Sequence, residues 1–170
     1  VLALPVQDSR ILRKLLDHFF LEVERTSVRD WAQKYENLLG HAVNSAAPAY
    51  ELEYGEEHTH REPQQLADIG AFYSAFGLRL SSRSHERADH ASVETEFMYF
   101  LTFKEAIALA KGQTENAEIC KGARLRFLEE HLGYWFPAFT LRVSKHCDGL
   151  LKTIADFAFG FVVQDCLAFG

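Results

Sequence analysis

The chain has 170 residues, of which 48% are hydrophobic and 25% charged; this is the composition of a folded chain and excludes an intrinsically disordered one. Such a length fits one domain over residues 1–170, able to bury a sizeable core with no disulfide or metal. Lys and Arg number 18 against 24 Asp and Glu, a formal charge of -6, which argues against nucleic acid and leaves basic peptides or proteins as the natural charged partners.

Val1-Leu2-Ala3-Leu4-Pro5 is too short for the apolar region of a signal peptide, and the missing initial Met puts the expected N-terminus upstream of Val1 or marks it as trimmed. Asp8 and Ser9 are positioned to cap a first helix, whose apolar residues Ile11, Leu12, Leu15, Leu16, Phe19 and Phe20 recur at helical spacing. Thr26 or Ser27 restarts a second helix through Trp31, Tyr35, Leu38 and Leu39, with Gly40 as its stop or Ala42 to Ala47 as an extension. From Pro48 to Glu62 runs an acidic connector with His58 and His60, expected to be an ordered loop or a short irregular helix.

Pro63 suits the first turn of a third helix, where its missing N–H has no partner to lose. Leu66, Ile69, Phe72, Tyr73 and Phe76 form the stripe of that helix and Gly77 its stop. After a Ser-, Arg- and His-rich connector, Asp89 or Ser92 caps the longest periodic element. Its core face would use Val93, Phe97, Phe100, Leu101 and Ala108, ending near Gly112. Thr114 and Asn116 open a further helix through Phe127, Leu128 and His131, closed by Gly133. Trp135-Phe136-Pro137 makes a junction, Ala138 to Cys147 continues as helix, and Asp148 caps a last helix through Phe161. No stretch alternates with period two and no run is long enough to span a membrane. The expectation is an all-α, single-domain helical bundle of six to eight helices, with no stable membrane insertion.

Phosphate-loop, dinucleotide, nucleophile-elbow and zinc-protease motifs are absent. Cys120, Cys147 and Cys166 are far apart and form no C-x-x-C, and Lys121 beside Cys120 and Lys145-His146 beside Cys147 are only weak basic cues, so they read as reduced, inert thiols of a cytoplasmic protein. His58 and His60 with Glu86, Asp89 and His90 could offer a divalent metal its ligands if the two connectors converged, which defines an alternative: a metal-dependent helical enzyme. The bland alternative is two exposed loop histidines beside glutamates. Residues 84–97 concentrate charge at a helix entrance, where carboxylates complement the dipole. Read as simple capping, Asp89 caps, Glu94 and Glu96 occupy the first turns, and Glu86 pairs with Arg87 in solvent. Phe72 and Phe76 read as core, Tyr73 as core or surface, and Trp135 as a packing anchor.

Leu66 to Leu78, with its Phe72-Tyr73-Ser74-Ala75-Phe76-Gly77, and Glu86-Arg87-Ala88-Asp89-His90 followed by Glu94-Thr95-Glu96-Phe97-Met98 together resemble the TorD/DmsD/NarJ family of chaperones dedicated to molybdenum enzymes. Phe127-Leu128-Glu129-Glu130-His131-Leu132 is similar to the family's Phe-Leu-x-x-His-Leu element. The resemblance covers about Glu57 to Pro137 and is nearest to the delta-subunit branch that accompanies dimethylsulfoxide-reductase-type enzymes. The family's proline is Ala88 here, which loosens the chain before the cap. The resemblance implies a cytoplasmic binding protein that is not an enzyme and carries no cofactor. Its partner would be the apo catalytic subunit of a molybdopterin-dependent oxidoreductase, its twin-arginine leader peptide, or both, held while cofactors are inserted before export. Some members form domain-swapped dimers, so a homodimer is among the expected assemblies. A leader, basic then apolar, calls for carboxylates beside an apolar surface. The peptide-binding residues expected on that basis are Phe72, Tyr73, Glu86, Arg87, Asp89, His90 and Phe97. A third reading is an interaction module that recognises only the mature apoenzyme.

Overall fold

A computed structural model describes residues 9–40, 45–54 and 62–167. These form seven α-helices: α1 (Ser9–Arg25), α2 (Val28–Leu39), α3 (Glu62–Ala75), α4 (Ala91–Ala110), α5 (Thr114–Phe127), α6 (Gly133–His146) and α7 (Gly149–Leu167). A 3-10 turn covers Glu51–Glu53 and a π-turn covers Leu128–Leu132. Among the described residues no strand occurs, and extended backbone pairs only in one antiparallel bridge, Tyr50 with His90. The fold is all-α, as the helical periodicities predict. No described helix is long and apolar enough to cross a membrane. The chain divides into two compact units, one of residues 1–49 and 136–170, the other Tyr50–Trp135.

In the first unit Ser27 caps α2, its side chain accepting from the Asp30 N–H at 3.1 Å. Only Leu12, Leu15 and Phe19 of the predicted α1 stripe turn inward, while Ile11, Leu16 and Phe20 are exposed. Gly160 of α7 lets α1 approach closely: a Cβ there would meet Leu12 Cδ2 at 3.3 Å. Along α6, Phe136, Phe139, Thr140 and Val143 are buried, spaced as one helical face. Asp148, expected as a cap, pairs its carboxylate with Lys34 Nζ.

The second unit contains α3, α4 and α5, joined by aromatic contacts. Phe97 of α4 meets Tyr73 of α3 and Phe127 of α5 edge-on, each with centroids 4.9 Å apart. Phe72 packs edge-on to Phe127 at 5.3 Å. Gly77 and Gly112 end α3 and α4 as predicted, both with positive φ (71° and 68°). At each end the next N–H reaches back five residues, Leu78 to the Tyr73 carbonyl and Gln113 to the Ala108 carbonyl, both at 2.9 Å. This doubly bonded ending needs a left-handed residue, which glycine adopts without strain.

Gly133 does not repeat that pattern. Its φ of -67° and ψ of -22° are helical, so the chain runs from α5 through the π-turn directly into α6. The predicted stop is absent, and Pro137 lies inside α6 rather than at a junction. One extra residue in the π-turn shifts the phase of the helix, and Leu128, His131 and Leu132 are all buried there.

Candidate functional site

The segment ahead of α4 folds into a tight, polar corner. The His90 N–H donates to the Arg87 carbonyl at 3.2 Å, closing a four-residue turn with Ala88 and Asp89 at its centre. Asp89 is fully buried. Its Oδ1 accepts from Arg87 Nε at 2.9 Å and its Oδ2 from Arg87 Nη2 at 2.7 Å, the two-pronged geometry that suits guanidinium and carboxylate. The Leu52 N–H adds a bond to Oδ2 at 3.3 Å. This pairing holds the Arg87 pKa up.

Arg87 also lies over the Tyr50 ring, 4.5 Å from its centroid. The Tyr50 hydroxyl donates to Glu86 Oε2 at 2.6 Å; burial, then that bond, pushes its pKa up to about 12. His90 is the residue that caps α4. Its Nδ1 accepts from the Ser92 N–H at 3.2 Å, and Nε2 faces Glu86 Oε2 at 3.7 Å. The Tyr73 hydroxyl, rising from α3, donates to the Ala88 carbonyl at 2.8 Å.

The predicted site therefore assembles in one place, but mostly as interior. Tyr73, Asp89, His90 and Phe97 are all buried, so in this conformation they hold the corner and core rather than face a ligand. Neither Asp89 nor Ser92 supplies the predicted cap, because the Asp89 carboxylate is committed to Arg87 and Leu52. Arg87 pairs with Asp89 and not with Glu86. Glu86 and Phe72 are half-buried and Arg87 is exposed, so these three remain accessible. His58 and His60 of the metal reading lie outside the described residues. Among the described residues no cluster of three or more His, Cys, Asp or Glu could hold a metal ion. Burial raises the pKa of all three thiols.

The sequence reading missed a buried acidic chain beneath the corner. The Glu51 N–H donates to the Asp89 carbonyl at 2.9 Å, tying the 3-10 turn to the corner. The Glu51 side chain is buried and accepts from His131 Nδ1 at 3.2 Å. Glu94, placed by capping logic in a solvated first turn, has no exposed surface, and its Oε2 accepts from Trp135 Nε1 at 2.9 Å. The other oxygens, Glu51 Oε2 and Glu94 Oε1, are buried with no hydrogen-bond partner. Burial, followed by the neighbouring Glu51 charge, raises the Glu94 pKa, against a smaller opposing pull from the Trp135 hydrogen bond; this favours the protonated carboxyl of Glu94. The signal was present: Glu94 stands three and seven residues before Phe97 and Leu101, on the buried stripe of α4.

From Glu51 and His131 the chain of contacts opens to solvent. A groove of about 850 Å³ runs between α3 and α5 and is lined by both residues. Phe72 and Ala75 of α3, Phe76 just beyond its end, and Ile119 and Ala123 of α5 make its apolar walls; Asp68, Arg126 and Glu130 add charge. Ile119 is 55% exposed. Arg126 holds its guanidinium 5.5 Å from the Phe72 ring centroid and bonds Glu130 through Nε at 3.2 Å and Nη2 at 3.3 Å.

An all-helical chain in which a Glu-Arg-x-Asp-His corner braces an acidic, apolar groove fits the class that the sequence resemblance points to. A family model described as nitrate reductase delta subunit matches residues 4–141. The chain belongs to this family, which falls within the TorD/DmsD/NarJ group. It is 34% identical over 101 residues, 59% of its own length, to the perchlorate reductase assembly chaperone protein of Dechloromonas aromatica (strain RCB). It is 35% identical over 79 residues, 46% of its length, to the selenate reductase assembly chaperone protein of Thauera selenatis. Its identity to the chaperone protein TorD of Vibrio cholerae serotype O1 is 27% over 106 residues, 60% of its length. The matched stretches span 44%, 40% and 44% of those proteins, less than half of each.

Proposed function

We propose that this chain is a cytoplasmic assembly chaperone, not an enzyme, that binds the apo catalytic subunit of a molybdopterin-dependent oxidoreductase, chiefly through its leader peptide. Residues 1–170 act as one chaperone domain in this reading, with the client meeting the second unit. The observation that carries it is the open groove between α3 and α5: apolar walls with carboxylates, on a chain whose relatives are named as reductase assembly chaperones. A leader that is basic at one end and apolar in the middle complements both features. Phe72 contacts the peptide directly, with Glu86 and Arg87 as the accessible members of the corner. Tyr73, Asp89, His90 and Phe97 act as positioning residues behind them.

Three or four buried apolar ligand side chains supply roughly 1.5–3 kcal/mol each, opposed by about 4–15 kcal/mol for association and ordering. The balance gives affinity on the order of micromolar, about -8 kcal/mol. Calorimetric titration with a leader peptide of the cognate client tests this. Phe72→Ala should weaken binding by about tenfold, or 1.4 kcal/mol, with the protein still folded. Unchanged affinity in that variant would remove the groove as the site. Binding of leaderless client with equal strength would shift recognition to the mature subunit.

A further inference from the structure

We propose that Arg126 is a built-in stand-in for an arginine of the client: its guanidinium holds, on Phe72 and Glu130, the place that a client guanidinium takes when the groove fills. This inference rests on the groove being the peptide site. Two contacts define the position. A planar guanidinium forks onto the Glu130 carboxylate, and the same group lies over the face of the Phe72 ring. Both are ways in which arginine in particular is recognised, because a lysine ammonium has no planar fork and stacks poorly.

The internal contact is built to be given up. Arg126 and Glu130 are four residues apart with the basic residue first, the weaker order for such a pair. Their side chains are 68% and 44% exposed, so solvent screens the attraction and either partner can be exchanged at little cost. Arg124, two residues away, shows the contrast. It bonds Glu105 at 3.2 Å with side-chain exposures of 11% and 18%, a pair closed between α4 and α5. One arginine of α5 is thus fixed into helix packing while the other is held over the groove. The groove's carboxylates, Asp68, Glu130 and the deeper Glu51, face only Arg126 and His131 as basic side chains among the residues lining it. The occupant that fits is an apolar peptide bearing arginine.

Isothermal titration of the full chain separates the outcomes. The probes are a synthetic peptide with two adjacent arginines followed by an apolar run, and its twin with both arginines replaced by lysine. Arg126→Ala should tighten binding of the arginine peptide by roughly two- to fivefold and that of the lysine peptide by much less. Arg126→Lys, which keeps the charge but not the fork, should give part of the same gain. Because Arg126 is exposed, an unchanged melting temperature is expected for both variants. If the wild type binds through Phe72 but Arg126→Ala leaves the arginine peptide unchanged or weaker, or tightens both peptides equally, the stand-in role is wrong and the groove stands. If wild-type affinity ignores Phe72, the groove itself is wrong and this inference falls with it.

Discussion

The Glu86–His90 corner and the α3–α5 groove are both acidic and both aromatic, yet one is closed and the other open. In the corner every described carboxylate has a fixed partner: Asp89 has Arg87, and Glu86 has Tyr50. The groove's Arg126–Glu130 pair is largely exposed to solvent. Glu51 and His131 belong to both regions, one anchored to Asp89 through its backbone, both lining the groove. The difference teaches that a charged motif is not thereby a contact surface. Charge that is paired within the fold, as in Asp89 with Arg87, first of all positions other groups.

The strongest way to break this division is to damage the interior. Trp135 is fully buried and donates to Glu94, so Trp135→Ala leaves a large cavity and an orphaned carboxyl oxygen. Urea unfolding should show a loss of about 3–5 kcal/mol. Phe72→Ala, at a half-buried position, should cost only about 1–2 kcal/mol of stability while carrying the larger binding defect. Equal stability losses for the two variants would mean that interior and groove are not separate in function.

The next test uses protons. The Glu94 pKa is raised in the folded state. A raised carboxyl binds its proton more tightly folded than unfolded, so its contribution is complete below the unfolded pKa, near 4.5. It is lost as pH rises through the folded value, at up to about 1.4 kcal/mol per pH unit. Glu94→Gln copies the neutral acid: its oxygen can still accept from Trp135, and the amide does not titrate. The variant should therefore lack that slope. Comparing urea unfolding at pH 6 and pH 8, wild type should lose up to about 3 kcal/mol relative to Glu94→Gln. A pH-independent gap between the two would show that Glu94 carries no proton in the folded chain.

Much of the frame was legible because local chemistry alone decides it. Ser27, Pro63, Gly77 and Gly112 act where their side chains or their freedom of φ predict. Gly133 was misread because a glycine stops a helix only when it turns left-handed, and packing around the π-turn keeps this one helical. The Phe72–Gly77 and Glu86–His90 motifs were recognisable as a family signature, and the Tyr73 hydroxyl bond to the Ala88 carbonyl joins them. Their exposure was not legible. Asp89 and Glu94 look alike as acidic residues at a helix entrance, and only the partners, one an adjacent arginine and the other a tryptophan 41 residues away, reveal that both are interior. The groove was half visible in Phe72; Ile119 and Arg126 join it only because α5 lies beside α3.

The smallest expected effect sharpens the view of the corner as a rigid brace. Ala88 stands where the family resemblance puts proline, and it is the second residue of the turn closed by His90 and Arg87. Proline suits that position because its ring already holds φ near the value a turn requires. Here the Tyr73 hydroxyl clamps the Ala88 carbonyl at 2.8 Å, doing from α3 part of what a proline ring would do from within the chain. Ala88→Pro should raise stability by about 0.4–1 kcal/mol, mainly by restricting the unfolded chain. In Tyr73→Phe, which loses the clamp but keeps the ring, the gain should be about the same as in wild type, since proline acts on the unfolded chain and the hydroxyl bond exists only in the folded one. Thermal unfolding of the four proteins gives the coupling directly. A destabilising Ala88→Pro in both backgrounds would mean that the turn rejects proline geometry, and that the corner is held by its side chains alone.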